Sequence, residues 1–357
     1  MKHYKQLFIV SVLILSRTIF AQDFHLSQYD VFSSYLNPAL TGNYLGEGGD
    51  YRIQALHRNQ WRMLASKPFS TQAIGYDRHE VIKGKDVGLG AYLMNNRSGV
   101  ANLNTMIFQL SGSYFITDPL HSPHLLNVGL QTGIYYKSFN PSRLLFESQY
   151  DYSTGTLNSD INSGEQFTRT GMVKFDANFG VFYKYRETKN KYFPFVGLSL
   201  FHLTMPKENF TATKSRLPMR LVAHAGSDFI VTDMLELTPV ILFMTQGKAT
   251  ELNIGVLGEY QLHESRAEKS FVIDKEKLYK GSGQKANYSI LFGLNYRWKD
   301  ALVVQTGVRK NNLILKMSYD VNTSFLRSYS SGRGAFEMSL VIVGFKGMTP
   351  FKSISQF

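Results

Sequence analysis

The sequence predicts an all-β protein: a closed antiparallel transmembrane β-barrel of about fourteen strands with an N-terminal plug or turn segment. Three observations carry that expectation. Apolar and polar side chains alternate with a period of two along most of the 357 residues. Aromatic residues gather toward the ends of the apolar faces, and past the first few residues no run approaches the roughly 18 apolar residues of a membrane helix. The alternation is plainest from residue 288 to 298, where Tyr288, Ile290, Phe292, Leu294, Tyr296 and Trp298 share one face while Ser289, Gly293, Asn295 and Arg297 share the other. Successive side chains of a strand point to opposite faces, so this is a strand with one face in oil and one in water. Rings at both ends of the oily face suit the two interfaces of a bilayer.

Lys2 and Lys5 precede an apolar run from Leu7 to Leu15, and Ala21-Gln22 offers a small-residue cleavage point, so residues 1–21 read as a secretory signal peptide. That run is too short to span a bilayer. The chain has no cysteine, which excludes disulfides, thiolate metal sites, cysteine nucleophiles and the lipidated cysteine of a lipoprotein. Charged residues make up 18%, against a usual value of about 25%, while 26 Phe and 21 Tyr are plentiful. Mean hydropathy is nevertheless −0.18. Apolar residues facing lipid and polar residues lining an interior would give that combination, and the expected location is the outer membrane. The net charge is +12, of which Lys2, Lys5 and Arg17 contribute three, so the remainder carries +9. Its basic residues are scattered and form no patch, which argues against a nucleic-acid partner.

Residues 22–50 are expected to fold back as a plug beneath or within the barrel, since a barrel this wide would otherwise leave an open lumen. Within them Asn37, Pro38 and Ala39, with Gly42 shortly after, read as a stiffened turn. The barrel proper spans residues 51–345. Arg58, Gln60 and Trp61 stand just after the first strand, with Trp61 as an interface anchor. Strands follow over 69–77, 87–95 and 106–115, then a clear one in which Leu126, Val128, Leu130, Ile134 and Tyr136 oppose Asn127, Gly129, Gln131, Gly133 and Lys137. In the next, Phe175, Ala177, Phe179, Val181, Tyr183 and Tyr185 oppose Lys174, Asp176, Asn178, Gly180, Lys184 and Arg186, and charges on that face need water or mutual pairing. Further strands are read at 192–202, 220–229, 235–243, 251–260, 288–298, 302–309 and 312–320, with Pro239 marking a bulge or a strand boundary because it removes a ladder donor. The last runs through Phe336, Met338, Leu340 and Ile342 to Phe345, leaving residues 346–357 as a short periplasmic tail.

An even strand number puts both ends on the periplasmic side. Segments 138–172, 204–218 and 322–333 then lie outside, and the long charged segment 262–286 counts as periplasmic. No G-x-S-x-G, H-E-x-x-H or phosphate-loop pattern occurs, and neither a catalytic nor a cofactor site is expected. His121 and His124 could be metal ligands, but beside Pro119 and Pro123 they read as turn residues, and no metal is expected. The inward acids Asp176, Glu251, Glu259, Asp320 and Glu337 read as lumen charges that pair with bases.

Three strings carry a family resemblance: Leu26-Ser27-Gln28-Tyr29; Leu36-Asn37-Pro38-Ala39-Leu40-Thr41-Gly42; and His57-Arg58-Asn59-Gln60-Trp61. Near the end, Ser318-Tyr319-Asp320 followed by Gly334-Ala335-Phe336-Glu337-Met338-Ser339-Leu340 adds to them, as do middle pieces around Lys174–Val181 and Pro218-Met219-Arg220. In that order they resemble the PorP/SprF family of Bacteroidota, departing only in the long 262–286 insertion. The resemblance implies an outer-membrane component of the type IX secretion system and the related gliding machinery. It also implies partners: other type IX secretion and gliding components, and a large secreted adhesin recognised through its C-terminal sorting domain. On this reading the outer loops bind the exported protein, with Tyr150, Tyr152 and Phe167 as first anchors, because buried aromatics dominate interface energies. A second reading, suggested by the polar inner faces and the Asn-Pro-Ala motif, is a passive or fatty-acid-type channel. A third, an outer-membrane enzyme, has only the lumen carboxylates to support it.

Overall fold

The computed structural model describes residues 23–44, 50–61, 67–119, 122–187, 190–210, 215–262, 288–325 and 327–344. The signal-peptide reading, most of the 262–286 segment and the 346–357 tail fall outside them. Alternation produces long strands in chain order: β1 (Tyr51–Gln60), β2 (Phe69–Ile82), β3 (Lys85–Ser98), β4 (Leu103–Phe115) and β5 (His124–Ser138). A two-residue hairpin, β6 (Tyr150–Asp151) with β7 (Thr156–Leu157), interrupts the series. It resumes with β8 (Gly171–Tyr185), β9 (Tyr192–Phe201), β10 (Arg220–Ile230), β11 (Leu235–Gln246), β12 (Ala249–Gln261), β13 (Tyr288–Arg297), β14 (Ala301–Lys310), β15 (Leu313–Asn322) and β16 (Arg333–Gly344). The fourteen long strands form one closed barrel in which each pairs antiparallel with its neighbours in sequence, and β1 closes on β16 from Tyr51↔Gly344 to Gln60↔Ala335. Closure satisfies the backbone within the hydrocarbon region, where an open edge would leave unpaired groups at several kcal/mol each.

The register assigns the two faces. In β13 every second residue is buried, and Ser289, Leu291, Gly293, Asn295 and Arg297 point inward. Outward tyrosines mark the rim where the chain enters β1: Tyr51, Tyr76, Tyr114, Tyr183, Tyr192, Tyr260 and Tyr288. Tyr136, Phe175, Phe243, Tyr296, Tyr319 and Phe336 mark the opposite rim. Between them the outer wall is aliphatic, with Ile74, Leu130, Leu198, Ile254 and Val304 facing lipid. Long connections 139–170, 202–219 and 323–332 sit on the second rim, and tight turns at 83–84, 231–234 and 311–312 sit on the first. The chain enters β1 and leaves β16 at the first rim, and the ends of such barrels lie on the periplasmic side, so the second rim faces out.

Two expectations need adjustment. Arg58 and Gln60 do not follow the first strand but belong to it, and the period of two turns Arg58 inward, where it is almost fully buried. Pro239 does not bulge β11. The β10–β11 ladder instead lapses locally, pairing from Arg220↔Gln246 to Gly226↔Val240 and resuming at Phe229↔Leu237, while the β12 side continues through Pro239↔Val256. A residue lacking an N–H interrupts only the ladder its nitrogen would have joined.

Candidate functional site: the plugged lumen and the outer mouth

Residues 23–44 occupy the lumen. Their apolar members pack inside the wall: Leu26, Phe32 and Tyr35 against Leu56, Tyr92, Met94 and Ile107, and Tyr29 and Leu36 against Phe201, Val222 and Leu242. The segment is too short for a stable fold of its own and is ordered by the wall. It contains one helical turn, α1 (Ser33–Leu36), and a 3-10 turn, Pro38–Leu40.

Asn37, Pro38, Ala39 and Gly42 act together. The Asn37 side-chain carbonyl accepts from Ala39 N at 2.9 Å and caps the turn that Pro38 begins. Its amide donates to Val181 O at 2.9 Å, tying the turn to β8. The wall opposite is bare of side chains: a Cβ on Gly129 would overlap the Pro38 carbonyl, and one on Gly180 would overlap the Asn37 side chain. Gly42 has φ +67° and donates its N–H to Asp77 at 2.6 Å, so it turns the chain toward β1 in a conformation that side-chain-bearing residues rarely adopt.

Arg58 is the second tie. Its guanidinium donates to Ser27 Oγ at 2.6 Å, Glu337 at 3.0 Å and Asp320 at 3.1 Å, and Gln60 accepts from it at 3.4 Å. Glu337 also accepts from the backbone of Ser27 and Gln28, while Arg297 donates to Asp320 at 2.8 Å. Other lumen acids are paired across strands, Glu259 with Arg309 and Asp228 with Lys184, while Glu251 lies 3.5 Å from His25 of the plug. Trp61 closes the outer end of β1 and packs its ring on Phe69, 4.9 Å between centroids. His124 accepts or donates to the Tyr183 hydroxyl at 2.8 Å, and His121 lies outside the described residues.

Sequence reasoning missed the third tie. His202 directly follows β9, with Nδ1 2.8 Å from Asp176 and Nε2 2.7 Å from Asp23 of the plug. Arg220, the first residue of β10, lies 3.3 Å from the same Asp23 carboxylate and donates to the Tyr35 hydroxyl at 2.8 Å. Burial opposes charge on His202, but the two carboxylates outweigh it and its pKa is pushed up to about 9. Burial likewise opposes the charge on Asp23, and His202 and Arg220 hold its carboxyl well below the usual range. Inward polar residues at strand ends were visible in the sequence, yet nothing local paired residue 23 with 202.

At the outer mouth the 139–170 and 202–219 segments join through rings packed edge to face. Phe139 packs on Phe167 at 5.1 Å and on Phe210 at 4.6 Å, and Thr168 N donates to Phe210 O at 2.9 Å. Phe167 is therefore partly covered within this nest. Tyr150 and Tyr152 pack edge to face at the β6–β7 hairpin, with Tyr152 92% exposed. Phe325 and Tyr329, not singled out from sequence, form a second exposed pair on the 323–332 segment.

A lipid-facing closed barrel whose lumen is filled by its own N-terminal segment is an outer-membrane β-barrel protein, and its long loops and ring pairs lie on the outer side. The chain belongs to the PorP/SprF family, described as type IX secretion system membrane protein PorP/SprF, whose model matches residues 18–342. As a member it works with other components of that secretion system. Among curated proteins none matches significantly. Solved structures similar in shape include the Ralstonia pickettii toluene transporter TbuX, at 9% identity over 87% of this chain and 92% of that one, TM-score 0.44. The CymD monoaromatic hydrocarbon channel is similar at 11% identity over 90% and 94%, TM-score 0.45.

Proposed function

We propose that the protein binds a large exported protein, an adhesin, at its outer mouth through that protein's C-terminal sorting domain and supports its export or surface retention. The supporting observation is the outer face itself: two long loops locked together by Phe139, Phe167 and Phe210, presenting the exposed Tyr150–Tyr152 pair on a stabilised base. A plug bonded to the wall at many places favours a binding role over passive conduction, and the paired lumen carboxylates favour a structural over a catalytic one. Tyr150 and Tyr152 supply contact area, and Phe167 holds the loop that carries them.

Replacing residues 147–165 by a short Gly-Ser linker tests this. Surface retention of the cargo, measured by labelling intact cells, should be lost while the barrel keeps its heat-modifiable gel mobility. Y150A/Y152A should weaken retention with the loop still protease-resistant, whereas F167A should make the loop protease-sensitive as well. Undiminished retention after the replacement would refute the placement.

A further inference from the structure

Three of the plug's ties differ in kind. The Asn37 turn and the Arg58 network hold it to strands, but the His202 cluster holds it to the two roots of an outer loop. His202 opens the 202–219 connection, and Arg220 follows it. Both grip Asp23, the first described plug residue, whose backbone N–H also donates to Gln246 of β11 at 2.7 Å. Further along the same loop Glu208 accepts from Lys137 of β5 at 3.0 Å and from the Tyr135 hydroxyl. His202 thus faces Asp23 of the plug, Asp176 of β8 and the Tyr135 ring of β5; Arg220 joins the cluster through Asp23, Tyr35 through Arg220, and Lys137 and Glu208 through Tyr135.

We propose that this cluster is a releasable clamp: moving the root of the 202–219 loop carries His202 and Arg220 away from Asp23, frees the outer end of the plug and opens the lumen. An imidazole that donates to two carboxylates through both ring nitrogens must be protonated, since the neutral ring has a single N–H. A loop displacement that removes His202 leaves Asp23 buried with fewer partners, which favours its exit toward water. The opposite wall offers little hold. The buried side chains of Asn253 on β12 and Asn295 on β13 have no hydrogen-bond partner among the described residues. Among the described residues, the plug's outer end meets β12 only where His25 lies 3.5 Å from Glu251. The outer loop thereby becomes a trigger, and the inference stands on the lumen whatever binds outside.

The full-length protein in a planar lipid bilayer tests it without any cargo. At pH near 7.5 the wild type should be closed. Raising the pH past about 9 should increase open time by at least about tenfold, the cost of losing one charge-assisted bond. H202A should open to a similar extent at pH 7.5, and H202Q, which retains one donor, less. Ser34 is a buried plug residue in a chain without cysteine, so S34C reports plug position directly. It should react with a charged methanethiosulfonate reagent in the H202A background and resist it otherwise. A wild type already open at pH 7.5 overturns the clamp. So does a barrel that stays shut with S34C unlabelled both in H202A and above pH 9; the pH arm needs no variant.

Discussion

Arg58 shows how much one inward side chain decides. Two carboxylates and the Ser27 hydroxyl converge on a guanidinium that water barely reaches. Removing one partner of such a set strands the other charges, at about 3–5 kcal/mol. R58Q should therefore lower the unfolding free energy measured in urea by that order, and D320N less, because Arg58 would keep Glu337. His202 supplies a pH signature. Its folded pKa is raised, so its contribution is complete below the ordinary value near 6.5 and is lost as pH climbs through about 9. Asp23 is held low, so its contribution is present above about 3.8 and is lost only in acid. Unfolding midpoints should fall as the pH rises from about 6.5 to about 9 and level off above that, and H202Q should flatten the fall. Arg58 was legible in the sequence as part of a motif, but its role was not: an anchor for residue 27 and an anchor for a surface ring look alike until the strand's phase is fixed.

At the scale of elements, strands were readable because period-two alternation is a local property. All fourteen appear where apolar and polar residues trade places, within a few residues of the expected ends. The seat of the Asn37 turn was half readable. Gly129 and Gly180 stand on inward faces, and a glycine inside a strand marks a close approach by other backbone. What approaches could not be read, since the turn lies about ninety or more residues earlier in the chain. Gly129→Val places a branched side chain where the Pro38 carbonyl sits. The turn should lift from β5, S34C labelling should rise, and the barrel's heat-modifiable mobility should persist, because lumen packing and strand pairing are separate sets of bonds.

For the whole molecule, the outer-membrane location and the sequence family rest on features spread along the entire chain. The division of labour between its two ends does not. Strand alternation, aromatic rims and an even count were enough to orient the barrel, since each follows from the bilayer's thickness and polarity. The coupling of plug to outer loop depends on residues brought together only by closure, and so appears first in three dimensions. That coupling also has a bearing on how the chain is made. Ser27 and Gln28 donate to Glu337, across 310 and 309 positions of sequence. The earliest described residues can settle only after the last strand has arrived, and β1 finds β16 in the same act. Contacts of such separation are slow to form. Seating the plug and sealing the cylinder are therefore one late event of biogenesis, and a chain stalled before residue 337 would leave its N-terminal segment unmoored.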